Sequence, residues 1–164
     1  MGADLNTTSA GIISRTPCKA EGLAVWRESD SSLRLLGSHL TGWHANPLML
    51  MTASSKGVEG ATWTVRGNPT HKGYSYDSQP TYVAPIEVPA SPSSSGGRLL
   101  LYLGDRWNQA SESGPGSVGG AAYIWLPLLH NATDKTGLSL PLLGGRWNGT
   151  GRWRVADYLA KSGA

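Results

Sequence analysis

Few side chains among the 164 residues could do acid–base chemistry in a structured setting. His39, His44, His71 and His130 are isolated, with no metal-ligand spacing, and each reads as a surface or core histidine. No G-x-S-x-G and no Walker loop occurs, so Ser–His–Asp and phosphate-loop chemistry have no support. Carboxylates remain. Asp30, Glu59, Glu112 and Asp134 lie in turn-like surroundings where water solvates them. Glu21 stands directly before the apolar run Leu23-Ala24-Val25-Trp26. Asp77 precedes Ser78-Gln79 at a loop-to-strand junction, and Asp105 follows an apolar strand and precedes Arg106-Trp107. Desolvation at the mouth of a buried strand, beside aromatic surface, can raise a carboxyl pKa and make the group a proton donor. Each of these three reads equally well as a turn residue or a salt-bridge partner.

Trp43 sits in the polar stretch Ser38-His39-Leu40-Thr41-Gly42-Trp43-His44-Ala45-Asn46-Pro47. An indole there is costly to expose unless it stacks on something. The C–H face of a sugar fits that need, with Thr and Asn to meet hydroxyls; folding back onto the core is the competing reading. The chain has seven Trp, six Tyr and no Phe, so every aromatic pairs an apolar face with a polar edge.

The elements that must hold these residues are short and turn-punctuated. Gly and Pro make up 32 of the 164 residues, about a fifth, against roughly 12% in ordinary proteins. Residues 23–26 and 33–38 flank the turn 28–32 and read as a hairpin. Residues 47–53 fit a third strand or a short helix. Residues 61–65 alternate with period two and end at Gly67-Asn68-Pro69. Residues 81–88 are strand-like but carry Pro85, which predicts an edge strand or a bulge. Residues 98–103 and 121–129 read as buried strands, separated by Gly/Ser loops at 91–97 and 109–120, and 138–142 supplies a last short piece. No capping signal precedes ten residues of helical spacing, so the fold class is all-β. Leu103-Gly104-Asp105-Arg106-Trp107-Asn108 recurs as Leu143-Gly144-Gly145-Arg146-Trp147-Asn148. That 40-residue shift matches a four-stranded propeller blade of roughly 40–45 residues.

The net charge of +3 is scattered, and Arg146, Arg152 and Arg154 form no continuous basic stripe, which argues against a nucleic-acid partner. No apolar run approaches the roughly 18 residues of a membrane span. Cys18 is the single cysteine, so no internal disulfide forms. The N-terminus lacks the basic and apolar regions of a signal peptide. Sequons at Asn6, Asn131 and Asn148 lean toward a secreted or cell-wall-associated parent protein.

Taken in order, several motifs form a series. Glu21-Gly22-Leu23-Ala24-Val25-Trp26 resembles a Glu-Ala-Pro-Ala-Val-aromatic element. It is followed by Ser38-His39-Leu40-Thr41-Gly42-Trp43 with Asn46-Pro47, then Asp77-Ser78-Gln79-Pro80-Thr81-Tyr82-Val83. Tyr102-Leu103-Gly104-Asp105-Arg106-Trp107 and Tyr123-Ile124-Trp125-Leu126-Pro127-Leu128 complete it. The series is similar to the family 43 glycoside hydrolases, in the branch of exo-β-1,3-galactanases, over roughly residues 18 to 150.

The resemblance implies a five-bladed β-propeller and inverting hydrolysis of β-1,3-linked galactose from galactan or arabinogalactan side chains. In such hydrolysis one carboxylic acid protonates the leaving oxygen while a group across the ring places water. Glu21 matches the family's acid. The galactanase branch lacks the usual Asp base, and the Gln thought to help place the water matches Gln79; a neutral amide does this by hydrogen bonding. Thr41, Trp43 and Asn46 match the substrate-contact loop. Asp105, Arg106 and Trp107 match a further motif, read here as substrate-binding with a structural role as the alternative. Gly22-Leu23 replaces the family's Ala-Pro, and Pro80 stands where the family has Ser after Gln. The family's first two blades or so have no counterpart. Residues 1–164 are therefore expected to be the C-terminal part of a single propeller domain, about three blades. The expected partner is an oligosaccharide or polysaccharide, without nucleic acid or membrane. No cofactor is implied, a structural ion in the propeller channel being left open. The alternative function is a non-catalytic, lectin-like propeller or a degenerate pseudoenzyme.

Overall fold

A computed structural model describes residues 16–42, 44, 46–54, 57, 61–90, 96–108, 117–131, 133 and 136–140. They form eight strands: β1 (Glu21–Arg27), β2 (Leu33–Ser38), β3 (Leu48–Ala53), β4 (Trp63–Gly67), β5 (Ser78–Val88), β6 (Gly97–Asn108), β7 (Ser117–His130) and β8 (Leu138–Ser139). A three-residue 3-10 turn, Ser75–Asp77, precedes β5, and the described residues contain no α-helix. The all-β reading holds. The strands make two four-stranded antiparallel sheets, ordered β1-β2-β3-β4 and β5-β6-β7-β8.

The expected hairpin pairs Arg27 with Leu33. Asp30 Oδ1 accepts from the Ser32 amide at 2.8 Å, and Ser31 takes a left-handed φ of 68°. Residues 47–53, ambiguous in sequence, are a strand, because their apolar side chains serve two cores at once. Leu48 and Leu50 join the core shared with the second sheet, while Met49 and Met51 pack with Leu33, Leu35 and Trp63 on the opposite face. A strand alternates faces with period two, so an unbroken apolar run is what a sheet covered on both sides requires.

The shared core joins Ala24, Trp26, Leu36, Leu48 and Leu50 of the first sheet to Val83, Leu100, Tyr102, Ile124, Leu126 and Leu128 of the second. At one end buried Glu28 ties the sheets: its carboxylate accepts from Trp26 Nε1 at 3.1 Å and lies 3.6 Å from Arg34 and 3.8 Å from His130.

Two sequence expectations are corrected and a third is met. β7 starts at Ser117, inside the segment read as loop, because its pairing with β6 extends to Asn108↔Ser117. The strand 121–129 is not buried on both faces: Tyr123 and Trp125 are 73% and 54% exposed while Ile124, Leu126 and Leu128 are buried. β5 is an edge strand as Pro85 suggests, but its register break lies between Pro80 and Tyr82, and Pro85 pairs with Leu100. Residues 141–164, with the second copy of the 40-residue echo, lie outside the described residues.

Candidate functional site

The two opening strands, β1 and β5, are edge strands of their own sheets and pack against each other. Where they meet lies a shallow, open depression lined by Glu21, Ser38, Gly42, His44, Asn46, Asp77, Ser78 and Gln79. Glu21 and Gln79, far apart in sequence, therefore share one site.

Glu21 opens β1 opposite Ser38 and precedes a break in register between Glu21 and Ala24. Gly22, inside that bulge, has φ +57°, a conformation costly for any residue with a Cβ. A Cβ there would lie 2.5 Å from Gln79 Cγ and 2.8 Å from the Pro80 carbonyl oxygen. A glycine at position 22 is thus what leaves room for β5 to approach so closely. Ser38 bridges the strands: its hydroxyl donates to the Glu21 carbonyl oxygen at 3.3 Å and accepts from Gln79 Nε2 at 3.0 Å. The Glu21 side chain is half-buried and has no ion pair among the described residues.

Gln79 is reached through a strained turn. Ser75, Tyr76 and Asp77 all have left-handed φ values, 45°, 59° and 58°. Three successive non-glycine residues in that region cost roughly 1–2 kcal/mol each, and such strain persists only where the surroundings enforce it. They do so from several directions. Ser75 Oγ accepts from the Leu48 amide at 2.8 Å, and Ser78 Oγ donates to the Ser75 carbonyl at 2.7 Å. The Tyr102 hydroxyl in turn donates to Ser78 Oγ at 2.9 Å, and the Tyr76 hydroxyl reaches the Leu140 carbonyl at 2.8 Å. Burial pushes the Tyr102 phenol above its ordinary range, and the Asp105 charge adds to the rise.

Arg106 closes this set, donating to the Tyr76 carbonyl at 3.3 Å and pairing with Asp77 at 3.4 Å. It pairs in register with Ser78, and Asp105 with Gln79. Neither Asp105 nor Arg106 lines the depression; Arg106 Nε and Nη2 are engaged by the turn that delivers Gln79. Trp107 lies in β6, and its side chain falls outside the described residues.

Thr41 and Asn46 stand in the loop between β2 and β3, and Trp43 lies outside the described residues. The buried Asn46 amide accepts from the His39 amide at 3.1 Å and donates to the His39 carbonyl at 2.8 Å and to Thr41 Oγ1 at 2.7 Å. Thr41 Oγ1 donates to the His44 carbonyl at 2.7 Å. Asn46 is thereby saturated as the clasp of the loop, and exposed His44, read in sequence as isolated, joins the depression. Among the described residues no group of three or more His, Cys, Asp or Glu side chains could hold a metal ion.

Sequence reasoning missed Ser38 as a site residue. Counting outward from Arg27↔Leu33 places Glu21 opposite His39; the bulge at Gly22 puts Ser38 there instead. It also weighed Asp77 without selecting it, although Asp77 lines the depression with Glu21.

No family model matches the chain, and no curated protein matches it in sequence. Solved structures do. A family 43 β-1,3-galactosidase with galactodeoxynojirimycin is 25% identical, with a TM-score of 0.57, over 79% of this chain and 32% of its own. An exo-β-1,3-galactanase from Clostridium thermocellum is 28% identical, with a TM-score of 0.56, over 74% of this chain and 23% of its own. The two described sheets have the fold of part of a family 43 glycoside hydrolase. An exo-β-1,3-galactanase from Phanerochaete chrysosporium with β-1,3-galactotriose shares that fold at 21% identity and a TM-score of 0.56, over 78% of this chain and 25% of its own. The chain thus spans between a quarter and a third of the length of these structures, or slightly less.

Proposed function

We propose that this chain carries the proton-donor and water-placing side of a glycoside hydrolase site that removes β-1,3-linked galactose with inversion. Glu21 is the acid that protonates the departing glycosidic oxygen. Gln79 orients the attacking water from across the ring, by hydrogen bonding rather than as a base. The observation that carries this reading is the meeting of Glu21 and Gln79 at Ser38, in one open depression between two edge strands. The galactose-specific substrates of the structural neighbours support the sugar. The loop from His39 to Asn46, with Trp43 and Thr41, borders the sugar, and Asp105, Arg106 and Trp107 support the site from β6. The remainder of the substrate site is contributed by propeller strands beyond the two sheets described.

The test is galactose release from β-1,3-galactan, measured for the chain and for any longer natural protein that contains it, each beside Glu21→Gln. Loss of the acid is expected to lower release at least 100-fold, in line with the usual contribution of general acid catalysis. Equal release by both forms overturns the assignment. Binding of galacto-oligosaccharides in calorimetric titration with no release from any form would instead support a non-catalytic carbohydrate-binding propeller.

A further inference from the structure

The two ends of a glutamine amide have opposite chemistry: the carbonyl oxygen accepts a hydrogen bond and the NH2 donates. A water about to attack a sugar carbon must keep a lone pair free, so what it needs from its positioning group is an acceptor for one of its protons. We infer that Ser38 decides which end Gln79 presents, holding the NH2 so that the carbonyl oxygen is the end offered to the depression. This rests on the proposed roles of Glu21 and Gln79.

The argument is one of proton accounting. Ser38 is buried, and its hydroxyl has a single proton. The Glu21 backbone carbonyl, 3.3 Å from Ser38 Oγ, can only accept, so that proton is committed to it. Lone pairs alone remain on Oγ, and the group facing them from Gln79 at 3.0 Å must be a donor, which is Nε2. A flipped amide could bond Ser38 only by drawing the hydroxyl proton away from the Glu21 carbonyl, so one of the two hydrogen bonds would be lost. Among the described residues Gln79 makes no other side-chain hydrogen bond, so its Oε1 is the unclaimed end of a side chain that lines the depression.

Gly22 completes the seat. Its missing Cβ leaves the space that Gln79 Cγ and Cδ occupy, and the bulge it makes brings Ser38 opposite Glu21. The relay Gln79 Nε2–H to Ser38 Oγ–H to the Glu21 carbonyl therefore links the backbone that carries the acid to the amide that places the water. Ser38 acts through Gln79 in this arrangement and is a positioning residue.

The experiment reads the Gln79 side-chain amide by nuclear magnetic resonance in the 15N-labelled chain, its signal pair assigned by its loss in Gln79→Glu. Expected in the unmodified chain are nuclear Overhauser contacts from the Gln79 NH2 to the Ser38 β-protons. The hydrogen-bonded proton should exchange at least tenfold more slowly than in a free glutamine amide. Ser38→Ala should abolish that protection, and Ser38→Thr, which keeps the hydroxyl on a strand-favouring residue, should restore it. Absence of the contacts in the unmodified chain overturns the inference, as does protection that survives in Ser38→Ala. If Ser38→Ala does not fold, the unmodified chain and Ser38→Thr still decide. Because this readout needs no sugar, a protected Gln79 amide without galactose release defeats only the functional reading. Galactose release without the protected amide defeats only the role given to Ser38.

Discussion

Glu21 and Gln79 occupy the same place in their respective sheets. Each stands at the start of an opening edge strand, and each is followed by a break in register, between Glu21 and Ala24 in β1 and between Pro80 and Tyr82 in β5. They are held in opposite ways. The Glu21 side chain is tied to nothing charged among the described residues, whereas Gln79 follows a strained left-handed turn braced by Ser75, Ser78, Tyr102, Tyr76 and Arg106. The contrast suits the proposed division of labour. A proton donor must approach and release an oxygen, while a group that aligns a water contributes only as far as it is fixed in advance.

Substitutions can break or sharpen this contrast. The largest effect is expected where the two strands touch. Gly22→Val combines a left-handed φ, about 1–2 kcal/mol, with overpacking against Gln79, about 1–3 kcal/mol. A loss of about 3 kcal/mol should appear in a denaturant titration, and a loss below about 1 kcal/mol would mean that β1 and β5 do not approach so closely. Asn46→Ala should cost about 2–3 kcal/mol in the same measurement, since it removes three hydrogen bonds from a buried amide and leaves their partners unpaired. A near-neutral result would take the 39–46 loop out of the anchored part of the site.

Tyr102 extends the braced side to alkaline pH. Its phenol is raised in the folded chain, so near pH 10 the unfolded chain loses a proton that the folded chain keeps. The associated stability is fully present below about pH 10 and is lost above it, by up to about 1.4 kcal/mol per pH unit. Comparing the pH dependence of unfolding for the parent and Tyr102→Phe isolates this slope; identical slopes would refute it.

Arg106→Ala should cost only about 1 kcal/mol, because the Asp77 pair is about a third exposed and is screened. It should nevertheless speed amide hydrogen exchange at Asp77, whose amide donates to the Tyr74 carbonyl. Unchanged exchange would show that the turn does not depend on the arginine. The smallest effect is expected at Glu21→Gln, within about 0.5 kcal/mol of the parent, because the side chain makes no ion pair among the described residues and the swap keeps its size. A larger loss would reveal structural duty in the acid and erase the contrast with Gln79.

Strand positions were readable where one local rule was enough. The Glu28–Ser32 turn announces its hairpin, and Thr62 to Val65 alternates before the Gly-Asn-Pro stop. Legibility failed where pairing, not local preference, sets the outcome. Residues 117–120 look like loop because they are glycine-rich and polar, yet β7 runs through them to a pairing of Ser117 with Asn108 beyond a register break. The site was half legible. Motif singles out Glu21 and Gln79 but not that they line one depression, and at Arg106, where a sugar contact and a structural role both stood open, nothing local signals its bonds to Tyr76 and Asp77 some thirty residues earlier.

Residue types and their spacing were sufficient for an all-β chain and for the hairpin that opens it. These depend on side-chain periodicity and turn chemistry, which act over a few residues. That β1 and β5 lie side by side, that a one-residue bulge turns Ser38 rather than His39 toward Glu21, and that Gly22 makes room for Gln79 all depend on contacts between distant segments. Only packing the two sheets on a common core brings those segments together, and with them the two ends of the proposed chemistry.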